Sequence, residues 1–176
     1  MQSKNVNRRT IELINSLRGK EKIKMLFVCL GNICRSPAAE GVMRRYVEEA
    51  GLEERIEVDS AGILSYHQGE LPDKRMRVYA SRRGLSLTHH SRPVKAADFE
   101  DFDVIFAMDD QNVSDLREIS PTVEGCDKIV RISDFFTLAT TLDYIPDPYY
   151  TGAEGFELVL DLLENSCYNI LDSLRN

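Results

Sequence analysis

Residues 23–50 constrain this chain more than any other stretch. Ile23-Lys24-Met25-Leu26-Phe27-Val28 is a short apolar run that reads as a strand, and Ala38 to Ala50 reads as a helix opening at Ser36. Between them lies Cys29-Leu30-Gly31-Asn32-Ile33-Cys34-Arg35. A loop that joins a strand end to a helix N-terminus gathers unpaired backbone amides, and the helix dipole adds partial positive charge. Gly31 and Asn32 tolerate φ > 0, so the loop can curl its N–H groups inward. Arg35 adds a planar guanidinium matched to two oxygens of a phosphate. The same field favours the thiolate of Cys29. The stretch therefore describes a nucleophilic sulfur on the floor of an anion cradle, suited to covalent attack on phosphorus.

Other readings of the loop are weaker. Cys29 and Cys34 could form a metal pair, but no His or second Cys pair lies at usable spacing nearby, so no metal is expected. The G-x-x-x-x-G-K-[ST] pattern of nucleotide-binding loops is absent, and no cofactor is implied. Lys plus Arg number 22 against 29 Asp plus Glu, a net charge of −7, which argues against nucleic acid as a partner. No apolar run approaches a membrane span, and the segment after Arg8-Arg9 is amphipathic rather than a secretory core. Four cysteines in 176 residues make no disulfide scaffold, and a working thiolate fits a reduced, cytoplasmic setting.

The length suits one domain. Val6, Ile11, Ile14 and Leu17 stand near helical spacing over residues 6–18. Strands are expected at Lys24–Val28, Arg55–Ser60, Val104–Met108 and Lys128–Ile132. Helices are expected at residues 36–50, from Pro72 as first helical residue to Arg83, and at Asp110–Ile119. A last helix starts near Gly152, with Phe156, Val159, Leu160, Leu163, Cys167, Ile170 and Leu174 on one face. Alternating strands and helices give an α/β, three-layer domain: a parallel sheet with helices on both faces. Its ligands bind at the carboxyl ends of the strands, where Cys29 sits.

Val28 through Glu40, VCLGNICRSPAAE, resembles the signature of the low-molecular-weight protein tyrosine phosphatases. Asp147-Pro148-Tyr149-Tyr150 is similar to that family's acid-loop motif, and Val58–Gly62, Phe102–Asp109 and the Gly84 to Arg92 turn are also similar. The resemblance implies a four-stranded parallel sheet in the order 2-1-3-4, with the phosphate-binding loop after strand 1. It makes residues 23–176 the phosphatase domain and residues 1–22 an N-terminal helical extension.

The resemblance also implies roles. Cys29 would be the nucleophile, Arg35 the phosphate clamp and Asp147 the general acid and then base. Leu30, Gly31, Asn32, Ile33, Cys34 and Ser36 would complete the phosphate loop, with Ser36 hydrogen-bonded to the thiolate. Ser60 and His89 would hold Asn32, with His90 as the alternative one residue on. Tyr66, Tyr149 and Tyr150 would wall the substrate pocket, the alternative being core packing. Cys34 would be a redox partner able to form a disulfide with Cys29. The implied substrate is a phosphotyrosine-bearing protein, and phosphate or vanadate would occupy the site as an anion.

Three related functions compete. Thioredoxin-coupled arsenate reductases share the C-x5-R loop but need further cysteines in mid-chain, and none lies between Cys34 and Cys126. Protein arginine phosphatases carry Thr in place of Ile33. A non-catalytic phosphotyrosine binder would have no need of Cys29, Arg35 and Asp147 together.

Overall fold

The computed structural model describes residues 7–175. Its sheet is formed by β1 (Ile23–Cys29), β2 (Ile56–Gly62), β3 (Val104–Ala107) and β4 (Ile129–Arg131), all parallel, in the order β2-β1-β3-β4. The helices are α1 (Arg8–Leu17), α2 (Arg35–Glu49), α3 (Lys74–Ser81), α4 (Asp98–Asp101), α5 (Asp110–Ile119), α6 (Val123–Asp127) and α7 (Ala153–Arg175), with a 3-10 turn at Ile132–Phe135. The expected order and class hold.

Alternation within the central strands divides the core in two. Ile23, Met25, Phe27 and Cys29 of β1, with Val104 and Phe106 of β3, join the cluster shared with α1, α2, α3 and α7. Leu26 and Val28, with Ile105 and Ala107, join the cluster shared with α4 and α5. A strand covered on both sides reads as a continuous apolar run, which is why β1 and β3 lack polar alternation. Phe27 and Phe106 are register partners, their rings stacked 5.1 Å apart. All seven residues expected on the inner face of α7 are buried.

Several local expectations need correction. Pro72 is not the first residue of α3: Asp73 caps that helix, its carboxylate accepting from Arg75 N, and a side-chain cap outcompetes a proline at the first position. In α1 the buried residues are Thr10, Ile14 and Leu17, while Ile11 is half exposed; Val6 lies outside the described residues. Thr10 Oγ1 donates to Asp134 at 2.7 Å and Arg18 Nε to the Ser173 carbonyl at 2.7 Å, so α1 is fastened near the end of α7. Arg55 donates to the carbonyls of Arg18 and Lys20, placing this segment by the amino ends of the strands, away from Cys29. Among the described residues no helix is long and apolar enough to cross a membrane.

Candidate active site

β1 ends at Cys29 and α2 begins at Arg35, so residues 30–34 cross the carboxyl end of the sheet. Cys29 stands beside Gly62 of β2. A Cβ on Gly62 would lie 3.0 to 3.1 Å from Asn32 and from the Gly31 backbone, so only glycine lets β2 run this close beneath the loop. Backbone bonds from Ile63 N to Cys29 O (3.0 Å) and from Leu64 N to Leu30 O (2.9 Å) then bind the segment after β2 to the loop. The first turn of α2 holds no acidic side chain and Cys34 supplies no side-chain cap, so its amides remain available to an anion.

The bend in the loop falls at Asn32, whose φ is +56°. A side chain in that region costs about 1–2 kcal/mol, and the side-chain amide of Asn32 offsets it. Its nitrogen donates to Ser36 Oγ (2.8 Å) and Ser60 Oγ (3.0 Å). Its oxygen meets His89 Nε2 (2.9 Å) and accepts from Arg92 N (3.1 Å). Every hydrogen-bonding position of the amide is filled. Ser36 Oγ, already accepting from Asn32, has its single hydrogen left for Cys29 Sγ at 3.0 Å or for the Ala61 carbonyl at 3.4 Å, and the sulfur is the nearer.

A second ring of bonds lies behind Asn32. Ser60 Oγ donates to Glu40 Oε1 at 3.0 Å, and His89 Nδ1 lies 3.1 Å from that same oxygen and 3.5 Å from Asp59. Burial works against ionisation of Glu40, but the His89 hydrogen bond and charge, then Arg44 and Ser60, hold its carboxyl below the usual carboxylate range. Asp59 in turn accepts from Ser60 N and Arg92. The ligand atoms of Glu40, Asp59 and His89 lie within 4.8 Å of one another, and these internal hydrogen bonds account for the grouping. His89 is therefore the histidine beside Asn32; His90 instead turns its Nδ1 to the Gly69 carbonyl.

Arg35 is buried, and its Nη1 donates to Asp109 Oδ2 (2.7 Å) and to the Ile145 carbonyl (3.1 Å). That leaves the Nε and Nη2 edge for a two-point contact with an anion. Burial opposes the guanidinium's charge; the Cys29 sulfur, the Asp109 hydrogen bond and the charge of Asp147 outweigh it and keep the group above its ordinary pKa. Arg35 Nη2 lies 3.6 Å from Asp147 Oδ2. Burial first, then Asp73 and Cys29, push the Cys34 thiol far up, so it stays protonated.

These groups share a cavity of about 370 Å³. Cys29, Ile33, Cys34 and Arg35 line its buried part, and Leu30 and Gly31 of the loop line it nearer the surface. Asp147, Tyr149, Tyr150 and Tyr66 line its open part. Tyr66 and Tyr150 are 84% and 94% exposed, which rules out core packing and puts them at the rim. Two further lining residues, Leu64 and His67, extend the set read from the sequence. His67 packs against Gly31 and pairs with Glu70 at 2.7 Å. Asn32, Ser36, Ser60 and His89 stand behind the cavity.

The sequence reading missed Glu40, Asp59 and Arg92 as supports. Asp109 lay within a matching motif, but its bond to Arg35 had no local signal.

Residues 24–176 match the family described as low molecular weight phosphotyrosine protein phosphatase. The chain belongs to this family. A low molecular weight protein-tyrosine-phosphatase of Bacillus subtilis is 40% identical over 154 residues, covering 87% of this chain and 96% of that protein. The crystal structure of a protein tyrosine phosphatase from Entamoeba histolytica, with Hepes in its active site, superposes with a TM-score of 0.82 at 47% identity, covering 87% of this chain and 97% of that one. The structure of DARP, a Drosophila arginine phosphatase, gives a TM-score of 0.81 at 34% identity over 88% of this chain and 99% of its own. As a member of this family, the chain is a hydrolase of the protein-phosphatase class.

Proposed function

We propose that the chain hydrolyses phosphotyrosine in proteins, and aryl phosphate monoesters generally, through a phosphorylated Cys29. The Cys29 thiolate attacks phosphorus while Arg35 and the loop amides of residues 30–36 hold the equatorial oxygens. The bond from phosphorus to the phenolic oxygen breaks, and Asp147 gives that oxygen its proton, so tyrosine leaves neutral. Asp147, now a carboxylate, takes a proton from water; the water oxygen attacks phosphorus, the P–S bond breaks and the thiolate returns. Ser36 eases that departure by its hydrogen bond to sulfur. Ser60 and His89 hold the loop open through Asn32. The observation that carries the reading is one cavity with Cys29 and Arg35 at its floor and Asp147 at its mouth.

Tyr66, Tyr149 and Tyr150 would flank the phenyl ring of the substrate, and inorganic phosphate or vanadate would bind the loop as anions. The catalytic unit is then residues 23–176, with residues 1–22 appended; the family match beginning at residue 24 supports this division. A net charge of −7 disfavours nucleic acid, and four free cysteines suit the cytoplasm.

The arginine-phosphatase relative makes phosphoarginine the second reading. Ile33 lines the cavity with a branched apolar side chain, which favours an aromatic substrate over a guanidinium. Assay of the purified protein with a phosphotyrosine peptide, phosphoarginine and arsenate separates the readings: turnover of the first alone is expected, and faster release of phosphate from phosphoarginine would reverse the assignment.

Cys34 is proposed as the partner of Cys29 in a protective disulfide under oxidation. Activity lost to mild peroxide should return with a thiol in the native protein and return incompletely in Cys34→Ser; equal recovery in both would remove Cys34 from that role.

A further inference from the structure

Few hydrogen bonds tie the stretch around Asp147 to the rest of the molecule. Two residues before it, Ile145 is fully buried, its N–H donating to the Met108 carbonyl at 2.8 Å and its carbonyl accepting from Arg35. Two residues after it, the Tyr149 carbonyl accepts from Arg75 Nη2 at 3.0 Å. Among the described residues, that is the one hydrogen bond reaching the backbone of residues 146–150 from beyond Thr151, whose N–H and Oγ1 both donate to the Pro148 carbonyl. Tyr149 in turn donates its own N–H to Asp147 Oδ1 at 3.1 Å. Asp147 thus hangs between two tethers, the first built from the phosphate clamp itself and the second from Arg75.

Arg75 is itself fixed at its other side. Its Nε and Nη2 bond the two oxygens of Asp73 at 3.1 and 3.0 Å, a planar two-point contact. The Asp73 N–H donates to the Ile33 carbonyl of the phosphate loop at 2.7 Å. The guanidinium also lies over the rings of Tyr149 (5.5 Å) and Phe156 (4.9 Å), the latter in the first turns of α7. A continuous path therefore runs from Ile33 through Asp73, Arg75 and the Tyr149 peptide to the carboxyl of Asp147.

Resting on the reading of Asp147 as the general acid, we propose that Arg75 is a positioning residue for proton transfer. It sets the reach of Asp147 toward the leaving oxygen by tying the acid loop to the phosphate loop. Arginine is required because one planar group must meet the Asp73 carboxylate and the Tyr149 carbonyl together, which an ammonium does not do with fixed geometry. Misplacing a reacting group by about 1 Å can cost about a hundredfold in rate.

The test measures kcat/KM, which reports the phosphorylation half-reaction whatever step limits turnover, on aryl phosphates of a high-pKa and a low-pKa phenol. Arg75→Met keeps the apolar stem against Phe156 and removes every donor; Arg75→Lys keeps a charged donor group but not the planar fork. Both are measured in the native chain and in Asp147→Asn, with thermal unfolding followed in parallel. Arg75→Met should lose about tenfold with the high-pKa phenol and far less with the low-pKa phenol, and Arg75→Lys should show the same pattern at smaller size. In the Asp147→Asn background, where there is no proton to aim, neither substitution should add a loss. Equal losses on both substrates, or an undiminished loss in the Asp147→Asn background, would make Arg75 a structural residue only. Should Asp147→Asn alone show no dependence on the leaving group, the acid assignment fails, and the role of Arg75 fails with it. A leaving-group dependence in Asp147→Asn with none in either Arg75 variant overturns the Arg75 proposal alone.

Discussion

Cys29 and Arg35 are each 3% exposed, whereas Asp147, facing them across the same cavity, is 43% exposed. The difference runs through everything that holds the two loops. The phosphate loop turns on Asn32, whose amide is bonded at all its positions and whose partners Ser60, Glu40 and His89 close a ring behind it. The loop that carries Asp147 is held by hydrogen-bonded tethers at Ile145 and Tyr149. An anion cradle must be preorganised, because amides that relax toward the charge only after it arrives stabilise it less. An acid must reach over an arriving substrate and later admit water, which a rim residue can do.

The comparison predicts two kinds of damage. Asp147→Asn keeps size and much of the hydrogen bonding but cannot give up a proton. It should cut kcat/KM by about 10²–10⁴-fold for a high-pKa phenol and far less for a phenol that leaves as an anion unaided. Asn32→Ala should lose about a hundredfold on both substrates alike, because it distorts the cradle used by every phosphate. Similar leaving-group patterns in the two variants would erase the division of labour between the loops.

A smaller effect concerns the support of the cradle rather than its chemistry. The Glu40 carboxyl is held below its ordinary range by His89, Arg44 and Ser60 against the cost of burial. A folded-state value below the unfolded one contributes stability that is complete above the ordinary carboxylate range and is lost as pH falls through the lowered value. Glu40→Gln should therefore lower the melting temperature near neutral pH, and the gap from the native protein should narrow on acidification. A gap constant with pH would show that Glu40 stabilises by packing alone.

Legibility followed the same divide between local and distant. The strand, the loop and the helix from Ile23 to Glu49 are contiguous, so their pattern could be read directly. The apolar stripe of α7 is long, and its period is clear over 23 residues. Helices α4 and α6, of 4 and 5 residues, are too short to show a period and went unread. Glu40 looks like any acidic residue on a helix; only the approach of β2 and of the His89 segment makes it a buried support. Asp109 caps α5, accepting from Asn112 N at 2.8 Å, but its other oxygen meets Arg35 through tertiary packing alone. The start of α3 was misplaced because Pro72 and Asp73 both signal a helix start and the cap prevailed.

Cys29 and Cys34 line the same cavity, yet only Cys29 has a hydroxyl aimed at its sulfur, while burial keeps the Cys34 thiol protonated. Rapid acid quench during turnover of a radiolabelled aryl phosphate, followed by proteolysis and mass analysis of the labelled peptide, locates the covalent phosphate. The account predicts phosphate on the sulfur of Cys29, absent from Cys29→Ser. Label on Cys34, or steady turnover by Cys29→Ser, would contradict it.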